Sequence, residues 1–199
     1  TAALRLRPLL PGSDRRQLTQ GLRPLFSHLE TAMSEHSLIS ASASERISAC
    51  PISVLGGPSP TSEYAAEGTM LHTFGENLLT GKPLPVVGEV FAVEGFTFKV
   101  TDEHIELATT YADNIKAQPW EGSPNIEGRV HYGRVLNTPH NMSFGTADCS
   151  GILNLPEIGR CLGVDDLKGG RKFVPATALQ LYIYAAGVIQ SHFDTFPLP

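Results

Sequence analysis

Three cysteines in 199 residues, Cys50, Cys149 and Cys161, with no Cys-x-x-Cys pair among them, are too few and too scattered for a disulfide scaffold. Three thiols alone also fall short of the four ligands of a structural zinc, and no iron–sulfur cluster is expected. They read as small buried hydrophobes of a protein kept in a reducing cytoplasm. Long apolar runs are missing as well. None approaches the roughly 20 residues that span a bilayer, so no membrane partner is expected. Thr1–Leu10 holds two arginines but no apolar stretch of the secretory kind. A basic excess is missing too: 15 Lys and Arg stand against 20 Asp and Glu, a net charge of −5. That balance argues mildly against a nucleic-acid partner. It does not exclude a site that holds divalent cations, because such a site needs carboxylates and bound metal reverses their field. There is no internal repeat and no low-complexity tract.

What is present is 41% hydrophobic residues at a mean hydropathy of −0.05, enough for one core. Residues 1–37 are arginine-rich and broken by Pro8, Pro11 and Pro24, and read as an N-terminal arm or extension. Residues 38–199 read as the folded domain. Gly56-Gly57-Pro58-Ser59-Pro60 breaks the chain, and Thr61 or Ser62 then caps a helix that runs to about Leu79 and stops at Gly81. Val86–Val93 and Phe96–Val100 form a hairpin turning near Glu94-Gly95. Thr101 or Asp102 caps a second helix to about Ala117. Strands are expected over about 126–136, 142–153 and 160–167, and Pro175 opens a last helix over about 176–191. The order is helix, hairpin, helix, three strands, helix, which predicts an α/β domain with helices on the faces of a sheet.

Polar residues inside those apolar stretches carry the functional signal. Asp148 lies mid-strand, and Asp166 and Lys168 are expected to share one strand face with Val164. Charges there are costly to desolvate unless they pair or bind metal. If the two strands pair, Asp148 and Asp166 converge on one cation. A hard cation such as Mg²⁺ takes one or two carboxylates and a substrate phosphate. It makes a hydroxide-like nucleophile, and Lys168 can orient that water or stabilise the transition state. An edge-strand ion pair is the bland alternative. Gln180 and Tyr184, four apart on the last helix, share a face and can hold phosphate or the lysine. Arg171 and Lys172 add positive charge nearby. His72 can ligate through a neutral imidazole. Glu67, five residues earlier, sits about 140° around the helix and cannot point squarely at the same site. Glu127, at the start of the first of the three strands, is a further carboxylate for a metal.

Together Ala65-Ala66-Glu67-Gly68-Thr69-Met70-Leu71-His72, Phe144-Gly145-Thr146-Ala147-Asp148, Asp166-Leu167-Lys168 and Gln180–Tyr184 resemble the PD-(D/E)xK nucleases. The likeness is closer to the RecB-like and phage-associated exonuclease branch, which Ser42–Pro51 and Ser62-Glu63-Tyr64 also resemble, and it covers roughly residues 38–190. It implies a restriction-endonuclease-like mixed central sheet flanked by helices, Mg²⁺ or Mn²⁺, and hydrolysis of DNA phosphodiesters. By position, Asp148 and Asp166 would bind metal, with His72 and Glu127 as further ligands. Lys168 would be catalytic, and Gln180 and Tyr184 would match a substrate-holding QxxxY helix. Asp166 stands where many members have glutamate, and the iron–sulfur cysteines and helicase motifs of some relatives are missing.

The expected function is a metal-dependent DNA nuclease, an exonuclease first, in phage or prophage DNA processing or recombination within a bacterial host. DNA, a second copy of the chain or a recombination protein would be partners. A structure-specific endonuclease or nickase with the same site is the enzyme alternative. A non-catalytic DNA-binding or interaction module on the same fold, or a structural phage protein, are the alternatives of other classes.

Overall fold

A computed structural model describes residues 37–56, 60–139, 142–169, 175 and 178–191. All belong to one unit, Ser37–Pro199. The expected arm, with Arg171 and Lys172, lies outside the described residues apart from Ser37.

Helix α1 (Ser44–Ala49) is short and sits between two 3-10 turns, Ala41–Ala43 and Pro51–Gly56. Helix α2 (Glu63–Thr80) starts where Ser62 takes an extended backbone and its hydroxyl accepts the Ala65 N–H. It ends where Gly81 adopts φ +75°, a left-handed cap that costs glycine nothing. Ala66, Met70, Leu71, Phe74 and Gly75 are its buried residues, at helical spacing. Strands β1 (Val90–Val93) and β2 (Phe96–Lys99) make the expected hairpin. Glu94 at φ +49° and Gly95 at φ +83° form its turn, the pair of positive angles that matches strand twist. Helix α3 (Asp102–Ala117) opens on a reciprocal cap. Thr101 Oγ1 accepts the His104 N–H, and His104 Nδ1 accepts the Thr101 N–H. Met70, Phe74, Val100 and Ala108 close one core here, with Phe91, Val93, Phe98 and Ile105 packed around it. The Phe74 and Phe91 rings meet edge to face at 5.1 Å.

The second half is a three-stranded sheet in the order β3 (Asn125–His131), β4 (Phe144–Leu155), β5 (Gly159–Asp165). The α/β expectation therefore holds. Both pairings are antiparallel, so no mixed sheet occurs among the described residues. The three-residue connection from β4 to β5 is too short for a parallel crossover. Helix α4 (Gly133–Leu136) replaces the end of the expected first strand, because Asn137 turns left-handed at φ +53° and closes a helical turn. Helix α5 (Leu179–Ser191) starts three residues later than expected, after Ala178 donates to the Pro175 carbonyl. Tyr184 and Val188 of α5 join Ala41, Val130, Tyr132 and Ala147 in a second core. Gly187 allows the close approach: a β-carbon there would lie 3.3 Å from the His131 carbonyl. The cross-strand pair Gly151–Gly163 leaves a slot for Trp120, whose indole N–H donates to the Ile115 carbonyl at 2.7 Å. Among the described residues no helix is long and apolar enough to cross a membrane.

Candidate metal centre

Five segments far apart in sequence meet where α2, the sheet and the start of α5 come together. Helix α2 brings His72, β3 brings Glu127 and β4 brings Asp148. The stretch after β5 brings Asp166 and Lys168, and α5 brings Gln180 and Tyr184.

The tightest group is His72, Glu127 and Asp148, whose ligand atoms all lie within 4.8 Å of one another. His72 Nδ1 is 3.2 Å from Asp148 Oδ2 and 3.8 Å from Glu127 Oε1. Burial pulls the His72 pKa down, but its hydrogen bonds and attraction to Asp148 and Glu127 win and push it up to about 10. Without a cation, the imidazolium itself takes the positive place among these acids. Asp148 is buried, and its Oδ2 also accepts the Leu167 N–H at 2.6 Å. That bond explains why β5 stops at Asp165 rather than near 167, as expected: the Leu167 amide turns to a carboxylate instead of a neighbouring strand. Glu127 sits at φ +48° between the rungs Ile126–Cys149 and Gly128–Ala147. Left-handed backbone is uncommon for a glutamate, and such strain gathers at functional sites.

Asp166 lies outside this group, a departure from the reading that paired it with Asp148 on one cation. Its side chain, only 5% exposed, forms an ion pair with Lys168 and accepts the Gln180 amide N–H at 3.0 Å. Burial raises the Asp166 pKa, Lys168 opposes the rise, and the charge of Asp148 adds to it. Asp166 and Lys168 thus meet as an ion pair, the contact of the bland alternative, and from an extended segment beyond the ladder. The Tyr184 hydroxyl is held well above its ordinary pKa by burial, with Gln180 hydrogen-bonded against it, so it stays a neutral donor. Gln180 and Tyr184 do share the face turned to Asp166.

Glu67 is used elsewhere. His104 Nδ1 accepts in the α3 cap, so Nε2 carries the proton and donates to Glu67 Oε1 at 3.1 Å. Two further groups lie near the site: Tyr111, which the sequence does not single out, and Asp165, which reads there as a simple neighbour of Asp166. The Tyr111 hydroxyl is buried without a hydrogen-bond partner, and burial followed by the charges of Asp148, Cys149, Asp165 and Glu127 drives its pKa up. Asp165 accepts from Gln118 at 3.2 Å, which opposes the upward push of burial on its pKa. Tyr111 falls in the 3–4 spacing of Ala108, Ala112 and Ile115 and looks like a core position, so only its polar tip signals more.

One imidazole nitrogen and two carboxylates within 4.8 Å of one another are donor types that suit a hard divalent cation, with room in such sets for water and phosphate oxygens. Lys168 and Gln180, both attached to Asp166, bring donors to the same neighbourhood.

A family model described as a protein of unknown function (DUF2800) matches residues 36–196, and the chain belongs to that family. No solved structure matches it.

Proposed function

We propose that this member of a family of unknown function is a metal-dependent DNA nuclease with a restriction-endonuclease-like site, an exonuclease in the first instance. The observation that carries the reading is the convergence of His72, Glu127 and Asp148 within 4.8 Å beside the Asp166–Lys168–Gln180 chain. Asp148 is buried, and a buried acid without a charge partner would cost stability.

His72, Glu127 and Asp148 would hold Mg²⁺ or Mn²⁺. Bound there, the ion would acidify a water and neutralise charge on a phosphate. Asp148 keeps its carboxylate aimed through the Leu167 amide, which fixes one ligand before any cation arrives. Asp166 anchors the Lys168 ammonium, and Lys168 stabilises the charge that grows on the attacked phosphate. Gln180 holds Asp166 from the α5 side, and Tyr184, buried in the second core, supports Gln180 through a hydrogen bond.

The test is cleavage of linear duplex, single-stranded and closed circular DNA in Mg²⁺ or Mn²⁺. Wild type is expected to degrade linear DNA, and Lys168→Ala to lose roughly 100- to 1,000-fold in rate with its fold intact. Cutting of the closed circle would move the reading to an endonuclease. No cutting by folded, metal-loaded protein, or undiminished cutting by Lys168→Ala, would overturn it.

A further inference from the structure

We propose that Arg129, braced on Phe144, receives a nucleic-acid phosphate next to the one attacked, so that β3 supplies both a metal ligand and a backbone contact. The inference rests on the nuclease reading and adds a residue that neither the motifs nor the metal group includes.

Arg129 follows Glu127 by two residues on β3, about 7 Å of strand, the same order as the step between neighbouring phosphates. The register sets it opposite Thr146, and both are exposed. Alternation puts Arg129 and Thr146 on one side with the next matching rung, His131–Phe144. Its guanidinium lies 4.0 Å from the centre of the Phe144 ring. His131 also lies against that ring, tilted, at 5.7 Å between centroids. A guanidinium laid on an aromatic face is held in one plane, yet its N–H edge stays free to donate. That is the geometry for bidentate contact to phosphate.

Three of the other cations have carboxylate partners. Lys82 is paired with Glu76, Arg160 with Glu121 and Lys168 with Asp166. Among the described residues, Arg129 is the one cation without a carboxylate partner on a strand that also bears a candidate metal ligand. In a chain of net charge −5, a polyanion approaching Glu127 and Asp148 meets repulsion. An unneutralised arginine beside them offsets it locally and sets where the strand lies. Phosphate contacts of this kind fix register and carry no sequence information.

The test is fluorescence anisotropy of the full chain with fluorescein-labelled duplex and single-stranded DNA in Ca²⁺, across a KCl series. Arg129→Gln is expected to weaken binding severalfold, by the same factor for unrelated sequences. The slope of log K against log[KCl] should fall by about 0.9 for duplex or about 0.7 for single strand. Arg129→Met, which keeps an aliphatic stem over Phe144, should behave alike, and Arg129→Lys should restore the slope. Lys116→Gln, on α3, should change neither quantity. Wild-type affinity and slope in Arg129→Gln and Arg129→Met, or an equal loss in Lys116→Gln, would overturn the assignment and leave the nuclease reading standing. A wild type that binds no DNA would remove both.

Discussion

Helix α2 faces two neighbourhoods of opposite character. Toward the hairpin it presents Met70 and Phe74, fully buried among Val100, Ala108 and the strand phenylalanines. Toward the sheet it presents His72, which meets two carboxylates. The hairpin side is a conventional core in which each apolar group adds stability as it leaves water, about 1.5–3 kcal/mol for a side chain the size of phenylalanine. The sheet side sets like charges close together and relies on a cation, His72 now or a metal in its place, to balance them. One region is organised for stability and the other, on the proposed reading, for binding a cation, and a single helix joins them.

The largest blow to the hairpin side would be Phe74→Ala. It should cost about 3–5 kcal/mol by leaving a cavity beside Phe91, seen as an early thermal or urea transition. A change below 1 kcal/mol would mean that this core is loosely packed and that the contrast is overdrawn. The matching blow to the sheet side is Asp148→Asn, read through the metal. At 100 times the dissociation constant, a cation that binds only the folded chain adds about 2.7 kcal/mol. Mn²⁺ should therefore raise the melting temperature of the wild type and leave Asp148→Asn where it was. An equal rise in both would remove Asp148 from the ligand set.

These regions also differ in how far the sequence alone discloses them. Ser62, Gly81, Thr101 and the Glu94-Gly95 turn each act on residues three or four away, so their chemistry is written locally, and the helices and hairpin fall close to where the pattern puts them. The candidate site is assembled from residues up to about a hundred positions apart. Residue type and spacing marked His72, Glu127, Asp148, Asp166, Lys168, Gln180 and Tyr184. What they could not give is which acid meets which base. The bond from the Leu167 amide to Asp148 is a backbone donor with no signature in side chains, and it alone takes Asp166 and Lys168 off the ladder. The left-handed backbone of Glu127 is likewise invisible, since nothing about a glutamate announces it. Gly133–Leu136 reads as strand because Val135 and Leu136 are good strand residues, and the turn at Asn137 overrides them.

Proton linkage sharpens the contrast further. His72 has its pKa raised from 6.5 to about 10 in the fold. The stability it contributes is therefore fully present below about 6.5 and fades as pH rises through about 10. Metal binding runs the other way, since a ligating imidazole must first lose its proton, so Mg²⁺ should bind more tightly from pH 7 to 9 and release a proton. Metal-free melts should fall with pH over that range while the Mg²⁺-induced increment grows. In His72→Gln the first trend should flatten and the increment shrink. Parallel trends in wild type and variant would show that some other group sets the linkage.

The smallest effect tests whether the two neighbourhoods are separable at all. Ser62 caps α2 by accepting the Ala65 N–H at 3.2 Å, and Ser62→Ala should cost about 1 kcal/mol. Ser62 stands ten residues before His72, about 15 Å along the helix axis, and shares no partner with it. Effects at that separation add. The variant should thus melt a few degrees earlier and still gain the full Mn²⁺ increment of the wild type, measured by thermal melts in one buffer with and without the ion. If the increment shrinks, fraying at the start of α2 reaches His72. The helix would then be transmitting disorder between its two ends, and the site's geometry would depend on a cap that touches none of its ligands.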